Sequence, residues 1–286
     1  MRNLTEANLS EAVIASMSGA KNARFKEIMT SLIKHLHGFI REVNLTEAEW
    51  LAGIQFLTAV GQKCDDKRQE FILLSDTLGA TTMKDIINNR KPPGVTEYTI
   101  LGPFYRSDAP ELPLMGNIAG DIPGEPAVVT GRVLAPDGSP IPNAMLDVWQ
   151  SDAEGFYDLQ MPNIAGTALR GIFHTNAAGE YIFRTIRPSF YPIPHDGPVG
   201  QMLIAMGRHP YRPAHIHFII SADGYQSVTT ELFVSGDPYL DSDAVFGVRE
   251  SLIVPFVPND SKAEAERFNV SAPFYTVDYD FVLEPA

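Results

Sequence analysis

The sequence predicts an α+β chain in which an N-terminal helical region precedes an antiparallel β-sandwich. Three observations carry this. The first 91 residues contain no proline and all 22 prolines fall in the remainder, as expected where helices give way to strands and turns. Apolar residues recur with a helical period in the first part and alternate in the second. The alternating runs are separated by turn-forming residues with no long helical pattern between them, which favours packed antiparallel sheets.

In order along the chain, "NARFKEIMTSLIKHLHGFIREV" keeps Phe25, Ile28, Met29, Leu32, Leu36, Ile40 and Val43 on one helical stripe. His35 and His37 stand about 200° apart around that helix, so they do not converge. Thr46 and Glu49 form a capping-box pattern opening "TEAEWLAGIQFLTAVGQKC", and a further helix is expected through "RQEFILLSDTLGATTMKDIINN", giving three or four helices in all. "RKPPGVTEYTILGPFY" breaks the helical pattern as a linker, placing the helical region and linker over 1–103 and the β domain over 104–286. There "AVVTGRVL", "AMLDVWQ", "GEYIFRTI", "AHIHFII", "SVTTELFV" and "TVDYDFVL" read as strands, with "APDGSPIP", "TNAAGE" and "SADGY" as turns. The amphipathic helices must cover their stripe against the sandwich or a second subunit.

Composition excludes several classes. With 44% apolar and 20% charged residues the chain is ordinary globular protein. A net charge of −13 with no long basic run disfavours nucleic acid and anionic membranes. Cys64 is the sole cysteine, so no intramolecular disulfide forms, and no basic surroundings mark it as a nucleophile. No apolar run approaches the ~20 residues of a membrane span, and "MRNLTEANLS" lacks a signal-peptide pattern. A soluble cytoplasmic protein is expected.

Chemistry concentrates in "RPAHIHF". On a strand His215, His217 and Ile219 share one face while Ile216, Phe218 and Ile220 share the other. Two imidazoles rooted roughly 6.6 Å apart can bend onto one ion at about 2.0–2.1 Å from each nitrogen. Half-buried histidines bonded to carbonyls are the competing reading. Tyr157 lies just beyond the "LDVWQ" strand, and Tyr191 is flanked by prolines in "RPSFYPIPHDGPVG". Either tyrosine alone reads as a packed ring with a bonded hydroxyl. Two phenolates beside two neutral imidazoles suit trivalent iron better than zinc or magnesium.

"LDVWQSDAEGFY", "FYPIPHDGPVG" and "RPAHIHF", in that order after a proline-free helical region, resemble the intradiol ring-cleavage dioxygenases of the catechol type. "FILLSDTLG", "TILGPFY" and "DPYLDSDAVFGVRESL" are similar to the hydroxyquinol-cleaving branch of that family, and the likeness covers nearly the whole chain. The resemblance implies one Fe(III) per subunit held by Tyr157, Tyr191, His215 and His217, with Tyr191 leaving when substrate arrives. It gives Arg212 the role of stabilising negative charge on the ring. Simple alternation would put Arg212 on the face opposite the histidines, so the bend at Pro213 must redirect it. Leu73, Asp76, Ile100, Leu101, Gly102, Pro103, Phe104, Ile193, Pro194, Val245 and Arg212 match substrate-binding positions, Asp76 being placed to accept a hydrogen bond from a third ring hydroxyl. The implied reaction is cleavage of hydroxyquinol by O2 to 3-hydroxy-cis,cis-muconate, a tautomer of maleylacetate, with catechol or chlorocatechol as alternative substrates. A homodimer through the N-terminal helices, with phospholipid lodged between subunits, is also implied. Many catechol-type members carry Gln where "TTELF" places Glu231. From a different class, a non-catalytic β-sandwich carrier of small aromatics or lipid would use the same histidines structurally. A zinc hydrolase would need an acidic third-ligand motif that the sequence lacks.

Overall fold

The computed structural model describes residues 2–66, 68–164 and 166–286, and the chain forms two compact units, Met1–Gln62 and Lys63–Ala286. The first is helical: α1 (Leu9–Ser16), α2 (Ala23–Glu42) and α3 (Glu47–Lys63), the last running one residue into the second unit. Asn22 caps α2 by accepting the Phe25 N–H at 2.9 Å. At α3 the expected capping box is present: Glu49 accepts from the Thr46 N–H at 2.9 Å, and Thr46 Oγ1 accepts from the Glu49 N–H at 3.3 Å. Helix α1 was not expected, because eight residues are too few for a period to stand out. On α2 the stripe residues Phe25, Ile28, Leu32, Leu36 and Ile40 are exposed, as is Val43 at its C-cap.

The second unit opens with α4 (Glu70–Thr77) and α5 (Ala80–Asn88). The single helix expected here is broken at Gly79, whose φ of +72° ends one helix and starts the next. Then follow β1 (Pro126–Leu134), β2 (Met145–Gln150), β3 (Arg170–His174), β4 (Glu180–Ile186), β5 (Tyr191–Pro192), α6 (Pro198–Ala205), β6 (Tyr211–Arg212), β7 (His215–Ser221) and β8 (Val228–Val234). β9 (Ile253–Val254), β10 (Val257–Asn259), α7 (Lys262–Phe268), β11 (Phe274–Asp278) and β12 (Phe281–Val282) complete the chain.

Two five-stranded sheets face each other. One runs β10-β11-β1-β12 with β4 also on β1, and the other runs β3-β2-β7-β8-β9; β5 and β6 form a separate two-stranded ribbon. Most pairs are antiparallel, as expected, but β1 pairs in parallel with β11 and β12, and β8 with β9. "TVDYDFVL", read as one strand, is divided between β11 and β12, which pair with successive stretches of β1. β3 escaped the sequence reading because five residues give too little alternation. Between the sheets, Val129, Phe183, Val277 and Phe281 meet Leu146, Val148, Phe218 and Leu232. The Phe218 ring lies 6.2 Å from that of Phe183 and 4.9 Å from that of Phe281. Each such side chain contributes about 1.5–3 kcal/mol through burial.

Candidate metal centre

Strand β7 commits Ile216, Phe218 and Ile220 to this core. Alternation therefore turns His215 and His217 to the opposite face of the same sheet, outside the sandwich interior. Register builds a row across that face: Arg170 on β3 opposes Trp149 on β2, Trp149 opposes His217, and His217 opposes Glu231 on β8. Trp149 stacks on the His217 ring at 4.7 Å and 3° and fixes its plane.

Loops supply the rest. Tyr157 stands before a single turn of 3-10 helix, Asp158–Gln160, and its N–H donates to Gln160 Oε1 at 2.9 Å. Asp158, fully buried, is gripped by Arg170 through two bonds of 2.8 and 2.5 Å, and Arg170 also donates to the Phe104 carbonyl at 2.7 Å. Phe104 in turn stacks on the Tyr157 ring at 4.5 Å. Gly155 lets this loop approach Tyr191: its φ is +90°, and a Cβ there would lie 2.6 Å from the Tyr191 Cβ. Tyr191 comes from the β5–β6 ribbon, directly opposite Arg212.

These elements bring four donor atoms to one point. His215 Nε2 is 3.1 Å from His217 Nε2, 3.3 Å from Tyr157 Oη and 3.5 Å from Tyr191 Oη, and the two phenol oxygens are 3.4 Å apart. An ion held at ~2.0–2.1 Å requires neighbouring donors about 2.9–3.4 Å apart for angles between square and tetrahedral, so the residues fit a metal. His215 Nδ1 lies 2.7 Å from the Pro213 carbonyl. That carbonyl requires the proton on Nδ1 and leaves Nε2 as a bare lone pair. Burial drives His215 down to about 3 and His217 well below its ordinary value, with Arg212 adding to both, so both rings are neutral. Burial pushes the Tyr157 phenol well above its usual range and raises Tyr191 too. A cation reverses that preference by stabilising the phenolates.

His215, His217 and Glu231 also gather three acid–base donors. The Glu231 Oε1, however, is occupied by Arg212 Nη1 at 2.8 Å. The tyrosine oxygens, which both lie within hydrogen-bonding distance of His215 Nε2 and of each other, are the better donors.

Arg212 is redirected as the sequence required. It pairs with β5 instead of extending β7, and its Nη1 lies 3.2 Å from His215 Nε2. Asp243 grips the other edge of the guanidinium at 3.1 and 3.3 Å, while itself accepting the N–H groups of Gly247 and Val245. Burial works to raise the Asp243 carboxyl, but Arg212 and these N–H groups hold it below its ordinary value. Burial likewise raises Glu231, against the opposing pull of Arg212. Among the candidate substrate positions, Gly102 meets His217, where an added Cβ would lie 3.4 Å from Cε1, and Phe104 covers Tyr157. Leu73, Ile100, Ile193 and Val245 are buried, as is Asp76 on α4, whose carboxyl burial raises while the Arg212 charge opposes. Pro194 is half-buried; Leu101 and Pro103 are exposed. Sequence reasoning missed Trp149, Asp158, Arg170 and Asp243, whose roles arise from register and loop closure; only Trp149 and Asp243, in stretches already singled out, carried a signal.

Comparison with known proteins accords with this geometry. A family model described as "Catechol dioxygenase N terminus" matches residues 22–96, and one described as "Dioxygenase" matches residues 100–285. A 6-chlorohydroxyquinol 1,2-dioxygenase of Cupriavidus pinatubonensis is 50% identical over 100% of this chain and 99% of its own length. A hydroxyquinol 1,2-dioxygenase of a Rhizobium species is 50% identical over 97% and 95%. The solved structure of a hydroxyquinol 1,2-dioxygenase from Pseudomonas putida DLL-E4 superposes with a TM-score of 0.93 at 47% identity, covering 98% of this chain and 99% of that one. The metal-ready cluster on the outer face of its sheet, and full-length likeness to ring-cleaving enzymes, make this chain a member of the intradiol ring-cleavage dioxygenase family.

Proposed function

We propose that the enzyme cleaves hydroxyquinol with O2 between its adjacent hydroxyl-bearing carbons, using one Fe(III) per subunit held by Tyr157, Tyr191, His215 and His217. The convergence of these four donors carries the reading. When bound, the metal supplies Lewis acidity that lowers the pKa of the substrate oxygens and draws electron density from the ring. The protein does the rest. Tyr191, on a two-residue strand flanked by prolines, would be the donor that gives way to substrate, its phenolate oxygen taking one substrate proton. Tyr157, clamped through Asp158 and Arg170, stays. Arg212, fixed by Asp243 and Glu231, presents its guanidinium to negative charge that develops on the ring. Both atoms of O2 enter the product, 3-hydroxy-cis,cis-muconate, which tautomerises to maleylacetate.

Asp76 favours the triol, since a carboxyl group facing the ring bonds a third hydroxyl that catechol lacks. The catalytic part is assigned to residues 104–286. The exposed α2 stripe is assigned to a homodimer interface, with an amphipathic lipid as a further occupant. Among the described residues no helix is long and apolar enough to cross a membrane, which suits the cytoplasmic location expected from the sequence.

Iron loading tests the reading. The iron(III) protein should be wine-red from tyrosinate charge transfer and consume O2 with hydroxyquinol faster than with catechol or 4-chlorocatechol. Tyr157→Phe should bleach it. A colourless wild type that stays inactive after loading rejects the site; a wild type that prefers catechol rejects the substrate.

A further inference from the structure

We propose that Glu231 is a positioning residue of the metal centre, a buried carboxylate that accepts the Nδ1–H of His217 and so strengthens that ring as a donor while fixing Arg212 beside it. This rests on the iron reading above. Glu231 stands opposite His217 in the β7–β8 register and is fully buried. Its Oε1 lies 2.8 Å from Arg212 Nη1 and 3.5 Å from His217 Nδ1.

The two histidines differ in how their outer nitrogens are served. His215 has the Pro213 carbonyl at 2.7 Å from its Nδ1. His217 turns its Nε2 to the donor cluster, which leaves Nδ1 as the N–H, and that atom has no hydrogen-bond partner among the described residues. A buried N–H without an acceptor is costly. Glu231 Oε1 faces it at a separation that a small tilt of the ring closes. Trp149 covers one face of the ring, so the tilt is confined and the carboxylate sets its direction.

A ligating imidazole that donates its second N–H to a carboxylate is a stronger base toward the metal. The charge of Glu231 also offsets that of Arg212, the cation nearest the centre. Both effects favour the trivalent metal over the divalent one and raise the energy of tyrosinate-to-metal charge transfer. Glu231 is not itself a ligand in this account, because the oxygen that faces the centre is bonded by Arg212.

Glu231→Gln in the full iron(III)-loaded chain is the test, since the amide keeps the shape and an acceptor oxygen but removes the charge. Compared with wild type, the charge-transfer band should move to longer wavelength and the Fe(III)/Fe(II) reduction potential should rise. Iron should be surrendered to a chelator about 10–100-fold more readily. Band, potential and retention all equal to wild type overturn the proposal, and so does complete loss of metal, which would make Glu231 a ligand. Wild-type protein labelled with 15N-histidine and loaded with gallium(III) gives a second measurement that needs no variant. The His217 Nδ1–H proton should be shifted far downfield and slow to exchange, and its absence there overturns the proposal. A wild type that binds iron(III) with no tyrosinate band rejects the reading of the site itself, whereas a normal band left unmoved in the variant rejects only the role of Glu231.

Discussion

Arg212 shows how much rests on one side chain. Its guanidinium is buried between two carboxylates and the Nε2 of His215. Its planar fork sets two N–H groups on Asp243 and a third on Glu231, a geometry an ammonium does not reproduce. Arg212→Lys, which keeps the charge and loses the fork, should lower kcat by about 10²–10³-fold while substrate affinity measured under anaerobic conditions changes far less. Equal losses in both would reduce Arg212 to a substrate-positioning group. On the proposed reading Asp76 sets specificity. Asp76→Ala removes an acceptor for the third hydroxyl, so the ratio of kcat/KM for hydroxyquinol over catechol, expected at about tenfold to a few hundredfold from 1.4–3 kcal/mol, should shrink. A ratio that survives intact in the variant excludes Asp76 from the ring's surroundings.

Among the elements, the Tyr157 loop is held at three points. The Asp158–Arg170 pair anchors its base, the Phe104 ring covers it, and Gly155 lets it pass against Tyr191. Gly155→Ala meets both a left-handed φ and a contact too short for any Cβ. It should destabilise the protein by about 1–3 kcal/mol and broaden or shift the tyrosinate band, because the loop can yield only by moving Tyr157 or Tyr191. Calorimetry and the visible spectrum of the iron-loaded variant check this, and an unchanged Tm and band would show that the loop is slack. Asp158 and Arg170 were not foreseen because nothing local marks them. Twelve residues separate them, and they meet only because Arg170 opposes Trp149 across β2 and β3.

At the scale of the whole molecule, stability should respond to pH through Asp147, which lies on the outer face of β2 beside Tyr105. Burial raises its carboxyl to about 6, against the opposing effects of the Tyr105 hydroxyl and Arg170. Its folded pKa exceeds the unfolded value of about 3.9, so between these values the folded state binds more protons. The stability Asp147 contributes is therefore complete below about pH 4 and is lost as pH rises through 6. Asp147→Asn should stabilise the protein by roughly 2–3 kcal/mol above pH 7, with the gain vanishing near pH 4. Denaturant titrations of both proteins at pH 4.5 and 7.5 decide it; a difference independent of pH refutes the assignment. The exposed α2 stripe makes a second prediction at this scale: Leu32→Glu with Leu36→Glu should convert a dimer to a monomer by light scattering, leaving the iron band in place. A wild type already monomeric removes that assignment.

Period and punctuation settled what is local. The loss of proline in the first 91 residues separated helix from sheet, the Thr46–Glu49 box placed the start of α3, and two-residue alternation alone put His215 and His217 on one face. These follow from neighbouring residues, because backbone geometry fixes side-chain direction every two or 3.6 positions. Matching segments, not geometry, linked Tyr157 and Tyr191 to those histidines. Tertiary structure decided what crosses the chain. Tyr157 reaches His215 from 58 residues away, Glu231 comes opposite His217 through strand register, and Arg212 turns toward the centre because it pairs with Tyr191 instead of continuing β7. No local period encodes such meetings. They depend on which strands pair and in what register, and that is fixed by burying Phe218, Phe183 and Phe281 between the two sheets.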